Sequence, residues 1–152
     1  MSSSPLTWRC LPFDALHART LYALLQLRTE VFVVEQTCVF QDMDGADAQC
    51  FHLLGESARG LEAYARLVPA GLKYTEASIG SVVTLPSASC VGMGLAIMSE
   101  AVRALVSLWG AQPIRIGAQA HLQAFYGQHG FAPAGSIYIE DGIDHIEMVR
   151  AA

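Results

Sequence analysis

The sequence predicts a single α/β domain built on a mixed sheet of six or seven strands. Its 152 residues make one domain of ordinary size, and apolar residues account for 53% of them, enough for a sizeable core. Segments with the two-residue alternation of strands are interleaved with segments that repeat every three or four residues, as helices do. An Asp141-Gly142 pair between two apolar runs predicts a β-hairpin near the end of the chain.

The predicted elements differ clearly in their residue patterns. The segment at residues 61–68 alternates, so that two sets of side chains occupy opposite faces of a strand. The segment at residues 91–109 has an apolar stripe at helical steps and ends before Gly110, a residue typical of a left-handed helix cap. Further strands are predicted at residues 6–11, 51–55, 78–85, 114–117, 137–139 and 143–149, further helices at 19–32 and 121–128, and a loop at 37–50.

Charge and cysteine content exclude some classes of partner. The formal net charge is −5 and Lys73 is the single lysine, whereas a nucleic-acid-binding protein needs a basic face. An acidic chain is compatible with a cationic acceptor, although a solvated acidic surface needs no ligand. The 4 cysteines form no CxxC or His/Cys cluster, so no metal site is predicted.

Targeting and membrane segments are not predicted. No apolar run approaches the roughly 18 residues of a membrane helix, and the first residues lack the basic and apolar regions of a signal peptide. We therefore expect a disordered tail at residues 1–5, one domain at residues 6–152, a cytoplasmic location and no membrane partner.

Arg28 lies on the apolar stripe of the first predicted helix. An unpaired charge there is costly, so a carboxylate or carbonyl partner is expected for its guanidinium. A structural ion pair is favoured over contact with a ligand.

A glycine-containing turn separates a predicted strand from the longest helix. Cys90-Val91-Gly92-Met93-Gly94-Leu95 follows Val82-Val83-Thr84, and a helix that begins there presents unpaired N–H groups and partial positive charge. Because glycines let a phosphate approach the backbone, the turn predicts an anion site suited to a pyrophosphate. A dinucleotide fingerprint is excluded by the absent third glycine, and a P-loop by the absence of Gly-Lys-Ser/Thr. A tight turn without a ligand would carry the same glycines.

A second motif lies downstream, where Tyr126 is predicted on a short helix just after a strand. The segment Gln119-Ala120-His121-Leu122-Gln123-Ala124-Phe125-Tyr126 is followed by Gly127-Gln128-His129-Gly130-Phe131. Taken alone, a buried tyrosine more often satisfies its hydroxyl within a core than takes part in catalysis.

Together, the glycine-containing turn and the downstream Tyr-x-x-x-Gly-Phe resemble the pattern of the GNAT superfamily of N-acetyltransferases. Further segments resemble the ElaA-like branch of that family, over about residues 6–150 and in the same order. These segments are Leu21-Tyr22-Ala23-Leu24-Leu25-Gln26-Leu27-Arg28, Val31-Phe32-Val33-Val34-Glu35-Gln36, Gln41-Asp42-Met43-Asp44-Gly45, Tyr64-Ala65-Arg66, Ala118-Gln119-Ala120-His121-Leu122-Gln123 and Asp141-Gly142-Ile143-Asp144-His145-Ile146.

The resemblance implies a GNAT fold, with one mixed sheet whose central parallel strands splay apart and about four helices around it. It implies that acetyl-CoA lies in the gap between the strands at 81–84 and 114–117. It assigns to Tyr126 the role of general acid toward the departing CoA thiolate. The residues implied to contact the cofactor through the thioester, pantetheine or pyrophosphate are Val82, Val83, Thr84, Cys90, Val91, Gly92, Met93, Gly94, Leu95 and Gln119.

Two positions depart from the family pattern. Ser81 stands where relatives carry an arginine, and Ser89 stands at the first position of the usual Arg/Gln-x-x-Gly-x-Gly/Ala motif. Backbone amides still suit a phosphate there, but the side-chain charge is absent, so weaker cofactor affinity is expected.

The resemblance implies that the acceptor is a primary amine, on a small molecule or a peptide, whose identity the sequence does not give; a homodimer is left open. A neutral amine is needed for attack, so a base or a water must accept its proton. The residues considered for this role are Glu35, His52, His121, His145 and Glu147. The acceptor pocket is predicted, without assigning the base, from Arg28, Glu35, Tyr64, Arg66 and His145.

Other functions stay open at this point. A GNAT-fold module that binds an acyl-CoA with little or no turnover is favoured by the lost basic residues. Acyl transfer in lactone signal synthesis is suggested by Arg28-x-x-x-Phe32, although the short chain and the glycine-containing turn fit it less well.

Overall fold

The computed structural model of the chain describes residues 6–39, 41–85 and 91–152, so the expected tail at residues 1–5 lies outside the described residues. No α-helix in the described ranges is both long and apolar enough to cross a membrane. The strands are β1 (Thr7–Pro12), β2 (Phe51–Ser57), β3 (Gly60–Val68), β4 (Ser78–Thr84), β5 (Ile114–Gln119), β6 (Phe131–Pro133), β7 (Tyr138–Glu140) and β8 (Ile143–Arg150). The α-helices are α1 (Ala18–Thr29), α2 (Val91–Trp109) and α3 (Gln123–Gly127).

The strands form two four-stranded antiparallel sheets. The first has the order β1-β2-β3-β4, and the second has β5-β8-β6 with β7 also paired to β8. Among the described residues the two sheets meet at one parallel bridge, Ala77 opposite Ile114, where the Arg115 amide donates to the Ala77 carbonyl at 2.9 Å. Because β4 and β5 separate beyond that bridge, the expected splay between central parallel strands is confirmed.

The sheet differs from the prediction in strand number and in continuity. The prediction was one sheet of six or seven strands, whereas the described part of the chain holds eight strands in two sheets. The additional strand is β6, whose three residues are too few to show an alternating pattern. The division between the sheets depends on how β4 and β5 pack against their neighbours, and neither strand's own pattern records it.

The first helix changes its geometry part-way along its predicted length of residues 19–32. After α1 the chain continues as a π-helical segment, Glu30–Glu35. The amide of Cys38 donates five residues back, to the Val33 carbonyl, at 3.0 Å. The segment is rich in β-branched valines, which crowd an α-helix, and π-helical turns are frequent at functional sites.

Two helices cover opposite faces of the first sheet. Ala63, Ala65 and Leu67 of β3 belong to the core cluster that α2 completes, while the intervening Tyr64 packs with the cluster beneath α1. The two sets lie on opposite faces, as the alternation along β3 predicts, and all four side chains are buried. The side chains that α2 and α1 bury most fully in these clusters are Ile97, Met98, Ala101, Leu105, Leu24 and Leu27.

The predicted hairpin forms between β7 and β8. Asp141 and Gly142 at its turn have φ values of 53° and 76°, as a type I′ turn requires at both central positions. The hairpin carries His145 into the second sheet, opposite Gln119 of β5.

Candidate active site in the cleft between the sheets

A cleft of about 730 Å³ opens where β4 and β5 separate. The two strands form one side of it. The other side comes from the π-helical segment, the loop around residues 41–44 and the β7–β8 turn. The residues that line it from β4 and β5 are Ser78, Ile79, Gly80, Ser81, Val82, Val83, Thr84, Ile116, Gly117 and Gln119.

The edge of β4 that faces the cleft pairs, beyond the bridge at Ala77, with no strand of the described residues. Along its other edge β4 pairs with β3, and the register shifts between Tyr64 and Arg66. Ser81 lies opposite that shift, with a φ of 50° in the left-handed region that disfavours side chains. The extra residue is a β-bulge, which bends the strand and redirects its backbone groups. The N–H and C=O groups of this edge are therefore hydrogen-bonding sites for a ligand.

Arg28 holds the loop that forms the opposite wall of the cleft. Its guanidinium is fully buried and donates from Nε to Asp42 and from Nη1 to Asp47, each at 2.8 Å. Its cation also lies 5.7 Å from the centroid of the Tyr64 ring. The expected carboxylate partner of Arg28 is confirmed, and these interactions make the residue a support of the wall.

Arg66 anchors the same loop from β3 and reaches the cleft itself. Two nitrogens donate to the two carboxylate oxygens of Asp44 at 2.9 Å each, and Nη1 also donates to Asp47 at 3.1 Å. Burial opposes the charge of Arg66, but its hydrogen bonds to Asp44 outweigh that cost and raise the pKa of Arg66. The same bonds hold the pKa of Asp44 well below its ordinary value. Asp47 thus joins the two arginines, a role that the sequence alone did not reveal.

Tyr64 and His52 form a buried pair behind this network. The Tyr64 hydroxyl lies 2.6 Å from Nδ1 of His52, and Nε2 of His52 lies 2.9 Å from the carbonyl oxygen of Asp47. Burial lowers the pKa of His52, so the ring is neutral, with Nε2–H donating to the carbonyl and Nδ1 accepting from the hydroxyl. Both side chains are occupied in holding the loop.

The structure divides the five predicted acceptor-pocket residues into two groups. Glu35, Arg66 and His145 line the cleft. Arg28 and Tyr64 are 0% exposed and lie behind the wall, so their side chains do not form its surface. The sequence indicates that Arg28 needs a partner, but the direction of its side chain depends on how α1 rests on the sheet.

Tyr126 lies in α3, which follows β5 after the 3₁₀ turn Ala120–Leu122, and it lines the cleft. Its ring packs edge-on against Phe125 and Phe131, with centroid distances of 5.1 and 6.2 Å. Burial raises the pKa of Tyr126 to about 12, so the phenol is protonated at neutral pH. No hydrogen bond between described residues involves its hydroxyl, which leaves the proton available to a ligand.

His145 lines the cleft from β8 and is 8% exposed. Its Nδ1 lies 2.8 Å from the carbonyl oxygen of Ile143, and its ring stacks on Tyr138 with a centroid distance of 5.8 Å. Nε2 is 3.8 Å from a carboxylate oxygen of Glu140, beyond hydrogen-bond distance. Because a carbonyl accepts only from an N–H, the contact with Ile143 fixes the proton on Nδ1 in the neutral ring.

The other predicted site residues are placed less completely. Gln119 lines the cleft, and its amide nitrogen lies 3.4 Å from the Gln36 side-chain oxygen, at the long end of a hydrogen bond. Met93, Gly94 and Leu95 are half-buried at the start of α2 and are not among the residues that line the cleft. Ser89 and Cys90 lie outside the described residues, and so do the surroundings of Val91 and Gly92.

The start of α2 packs against the helix that carries Tyr126. A Cβ added at Gly94 would lie 3.5 Å from the ring of Phe125, an ordinary contact distance. The first turn of α2 therefore lies beside α3.

Three of the residues considered as bases lie elsewhere. His52 belongs to the buried network, and His121 is exposed on the turn before α3 and does not line the cleft. Glu147 accepts a hydrogen bond from Arg115 at 2.9 Å. Glu35 and His145 remain on the surface of the cleft.

Comparison with known proteins identifies the family. A family model for the acetyltransferase (GNAT) domain matches residues 35–152, more than half of the chain. The chain belongs to the GNAT acetyltransferase family. The GNAT fold expected from the sequence is confirmed, and membership places the chain among acyl-CoA-dependent transferases.

Relatives of the ElaA-like branch are similar over nearly the whole chain. ElaA from Escherichia coli K12 is 41% identical over 147 residues, which cover 95% of this chain and 96% of that protein. The crystal structure of Escherichia coli ElaA matches with a TM-score of 0.89 at 40% identity, over 95% of this chain and 99% of that one. An acyl-CoA N-acyltransferase from Pseudomonas aeruginosa matches with a TM-score of 0.91 at 44% identity, over 96% and 100% of the two chains. The resemblance to this branch of the GNAT family is confirmed.

Proposed function

We propose that this GNAT protein transfers an acetyl group from acetyl-CoA to a primary amine, which attacks the thioester directly. The observation that carries the proposal is the joint placement of two features in one cleft. The open edge of β4 supplies backbone hydrogen-bonding groups, and Tyr126 supplies a protonated hydroxyl with no partner among the described residues.

Acetyl-CoA fits the donor side of the cleft by the chemistry of its surface. The pantetheine arm carries amides that suit the backbone groups of Val82, Val83 and Thr84, much as an added strand would. The pyrophosphate is proposed to lie at the N-terminus of α2, which begins at Val91. N–H groups and partial positive charge at a helix N-terminus favour an anion. Gln119 is proposed to contact the cofactor from β5.

Tyr126 is proposed as the general acid toward sulfur. When the C–S bond breaks, the thiolate leaves with negative charge, and the phenol donates a hydrogen bond to it. A phenol with a pKa of about 12 is a weaker acid than an ordinary thiol of about 8.5, so complete transfer of its proton is uphill. The hydroxyl therefore acts first by stabilising the negative charge on sulfur. Burial of the thiolate raises the pKa of the thiol and so narrows the difference between the pKa values of the thiol and the phenol.

The acceptor side of the cleft suits an amine that arrives as a cation. Glu35, Glu140 and Asp141 line it, and no Lys or Arg of the described residues forms a salt bridge with any of them. Arg66 and Lys73 also line the cleft, but the charge of Arg66 is balanced by Asp44 and Asp47. The three carboxylates therefore outnumber the one charge of Lys73. A primary amine on a small molecule or a peptide fits this excess of carboxylates.

A binding module with little or no turnover is the alternative, and one observation favours it. Ser81 occupies the bulge on the cleft surface without the positive charge that the family pattern has there. A protein of this kind would bind acyl-CoA and leave its thioester intact.

Release of free thiol from acetyl-CoA distinguishes the two functions. The chain is incubated with acetyl-CoA and a panel of primary amines containing a diamine, an arylalkylamine, an amino acid and a dipeptide. The proposed transferase releases thiol faster with at least one amine than without any. Thermal stabilisation by acetyl-CoA with no amine-dependent release would instead identify a binding module.

A further inference from the structure

The hydrogen bonding of His145 leaves one specific atom free to take a proton. With Nδ1–H donating to the Ile143 carbonyl at 2.8 Å, the neutral ring carries its lone pair on Nε2. The residue is 8% exposed, yet it lines the cleft. No described residue lies within hydrogen-bond distance of Nε2, because Glu140 stops at 3.8 Å.

We infer that His145 is the general base that takes a proton from the acceptor ammonium, an inference that rests on the proposed acetyl transfer. Nε2 removes one proton from the ammonium, which gives a neutral amine and an imidazolium. The amine nitrogen then forms a bond to the thioester carbon, and the C–S bond breaks. Tyr126 gives its proton to sulfur, and the nitrogen gives a second proton to Tyr126. The products are an amide, a free thiol and one proton, which His145 returns to solvent.

A carboxylate and an aromatic ring lie next to the imidazole of His145. From β7, the carboxylate of Glu140 approaches Nε2 and the ring of Tyr138 stacks on the imidazole. From β5, Gln119 lies opposite His145 and brings no charge. Arg115 of β5 donates its hydrogen bonds to Glu147 of β8 and to Glu76.

The other candidates are less suited to the role. His52 uses both ring nitrogens in buried hydrogen bonds, and Arg115 donates to Glu147. Glu35 lines the cleft from the π-helical segment, but a carboxylate as a class is a weaker base near neutral pH than an imidazole. An imidazole titrates near neutral pH, where a general base is most effective.

The test compares His145→Gln with His17→Gln, since His17 is exposed beside α1 and makes no side-chain cap. The measurement is the pH dependence of kcat with acetyl-CoA and the best amine of the panel. Loss of a general base lowers kcat by about 10²–10⁴-fold and removes the acidic limb of the profile. We expect this for His145→Gln only, with an unchanged melting shift in acetyl-CoA.

Two different failures are distinguishable. If the wild-type chain releases no thiol with any amine, the proposed acetyl transfer fails, and the role of His145 fails with it. If the wild-type chain turns over and His145→Gln retains its kcat and its acidic limb, the transfer stands and His145 is not the base. A lowered melting temperature with an unchanged pH profile would assign His145 a purely structural role.

Discussion

Asp47 joins the two buried arginines, so its removal should destabilise the chain more than that of any exposed carboxylate. In Asp47→Ala, Arg28 loses one hydrogen bond of 2.8 Å and Arg66 loses one of 3.1 Å. The Asp47 side chain is 13% exposed, so solvent screens these hydrogen bonds little. The hydrogen bond from His52 to the backbone carbonyl of residue 47 does not depend on the side chain.

The size of the effect follows from the two hydrogen bonds that the substitution removes. A hydrogen bond between charged groups contributes about 1.5–3 kcal/mol, so two would contribute about 3–6 kcal/mol if nothing replaced them. Arg28 keeps Asp42 and Arg66 keeps both oxygens of Asp44, so neither cation is left unpaired. We therefore expect a loss near the lower end, about 3 kcal/mol in the free energy of unfolding.

The assay is urea denaturation at neutral pH, supported by thermal melting. A loss of about 3 kcal/mol corresponds to a drop of roughly 6–12 °C in the melting temperature of a domain of this size. The control is Asp14→Ala, which removes an exposed carboxylate and should change stability by less than about 0.5 kcal/mol. A loss below about 1 kcal/mol in Asp47→Ala would show that the arginine network does not hold the cleft wall.

Two further variants test the pH dependence of the network and the packing of the first sheet. Hydrogen bonds from Arg66 lower the pKa of Asp44 from its ordinary value of 3.8, so its stabilising effect is complete above that pH and is lost as pH falls below about 4. The unfolding free energies of wild type and Asp44→Asn should therefore differ at pH 7 and converge in acid, and a difference that stays constant with pH would contradict this. A Cβ at Gly55 would lie 2.6 Å from the Trp8 ring and 3.2 Å from Ala63, so Gly55→Ala should cost about 1–3 kcal/mol in urea denaturation. Gly80→Ala is the control, with nothing within 4 Å of the added atom; equal stability of the two variants would refute the packing argument.

Sequence patterns predicted the elements that have a strong local period or a characteristic turn. The helical stripe of α2, the alternation of β3 and the Asp141-Gly142 turn each record a local preference that the tertiary structure keeps. β6 is too short to show such a pattern. The sequence of the π-helical segment reads as a continuation of α1, because its valines are apolar like the residues of the helical stripe. The family resemblance supplied the splay between β4 and β5, which no local pattern encodes.

The candidate site was predictable in part. Burial made a partner for Arg28 necessary, but Asp42 and Asp47 lie 14 and 19 residues away in a loop whose path the sequence does not specify. The alternation of β8 places Ile143, His145 and Glu147 on one face. It does not indicate whether that face meets a cleft or solvent. Only the separation of β4 and β5 turns this face toward the same cavity as Tyr126.

Comparison of kcat and melting temperature between wild type and Tyr126→Phe tests the proposed acetyl transfer most directly. Phenylalanine keeps the ring and its packing against Phe125 and Phe131, and removes a hydroxyl that has no hydrogen bond among the described residues. We therefore predict a melting temperature close to wild type, an unchanged melting shift in acetyl-CoA, and a kcat lowered by about 10²–10⁴-fold with little change in KM. A wild-type kcat together with a lowered melting temperature would contradict the account and leave Tyr126 as a residue of the core.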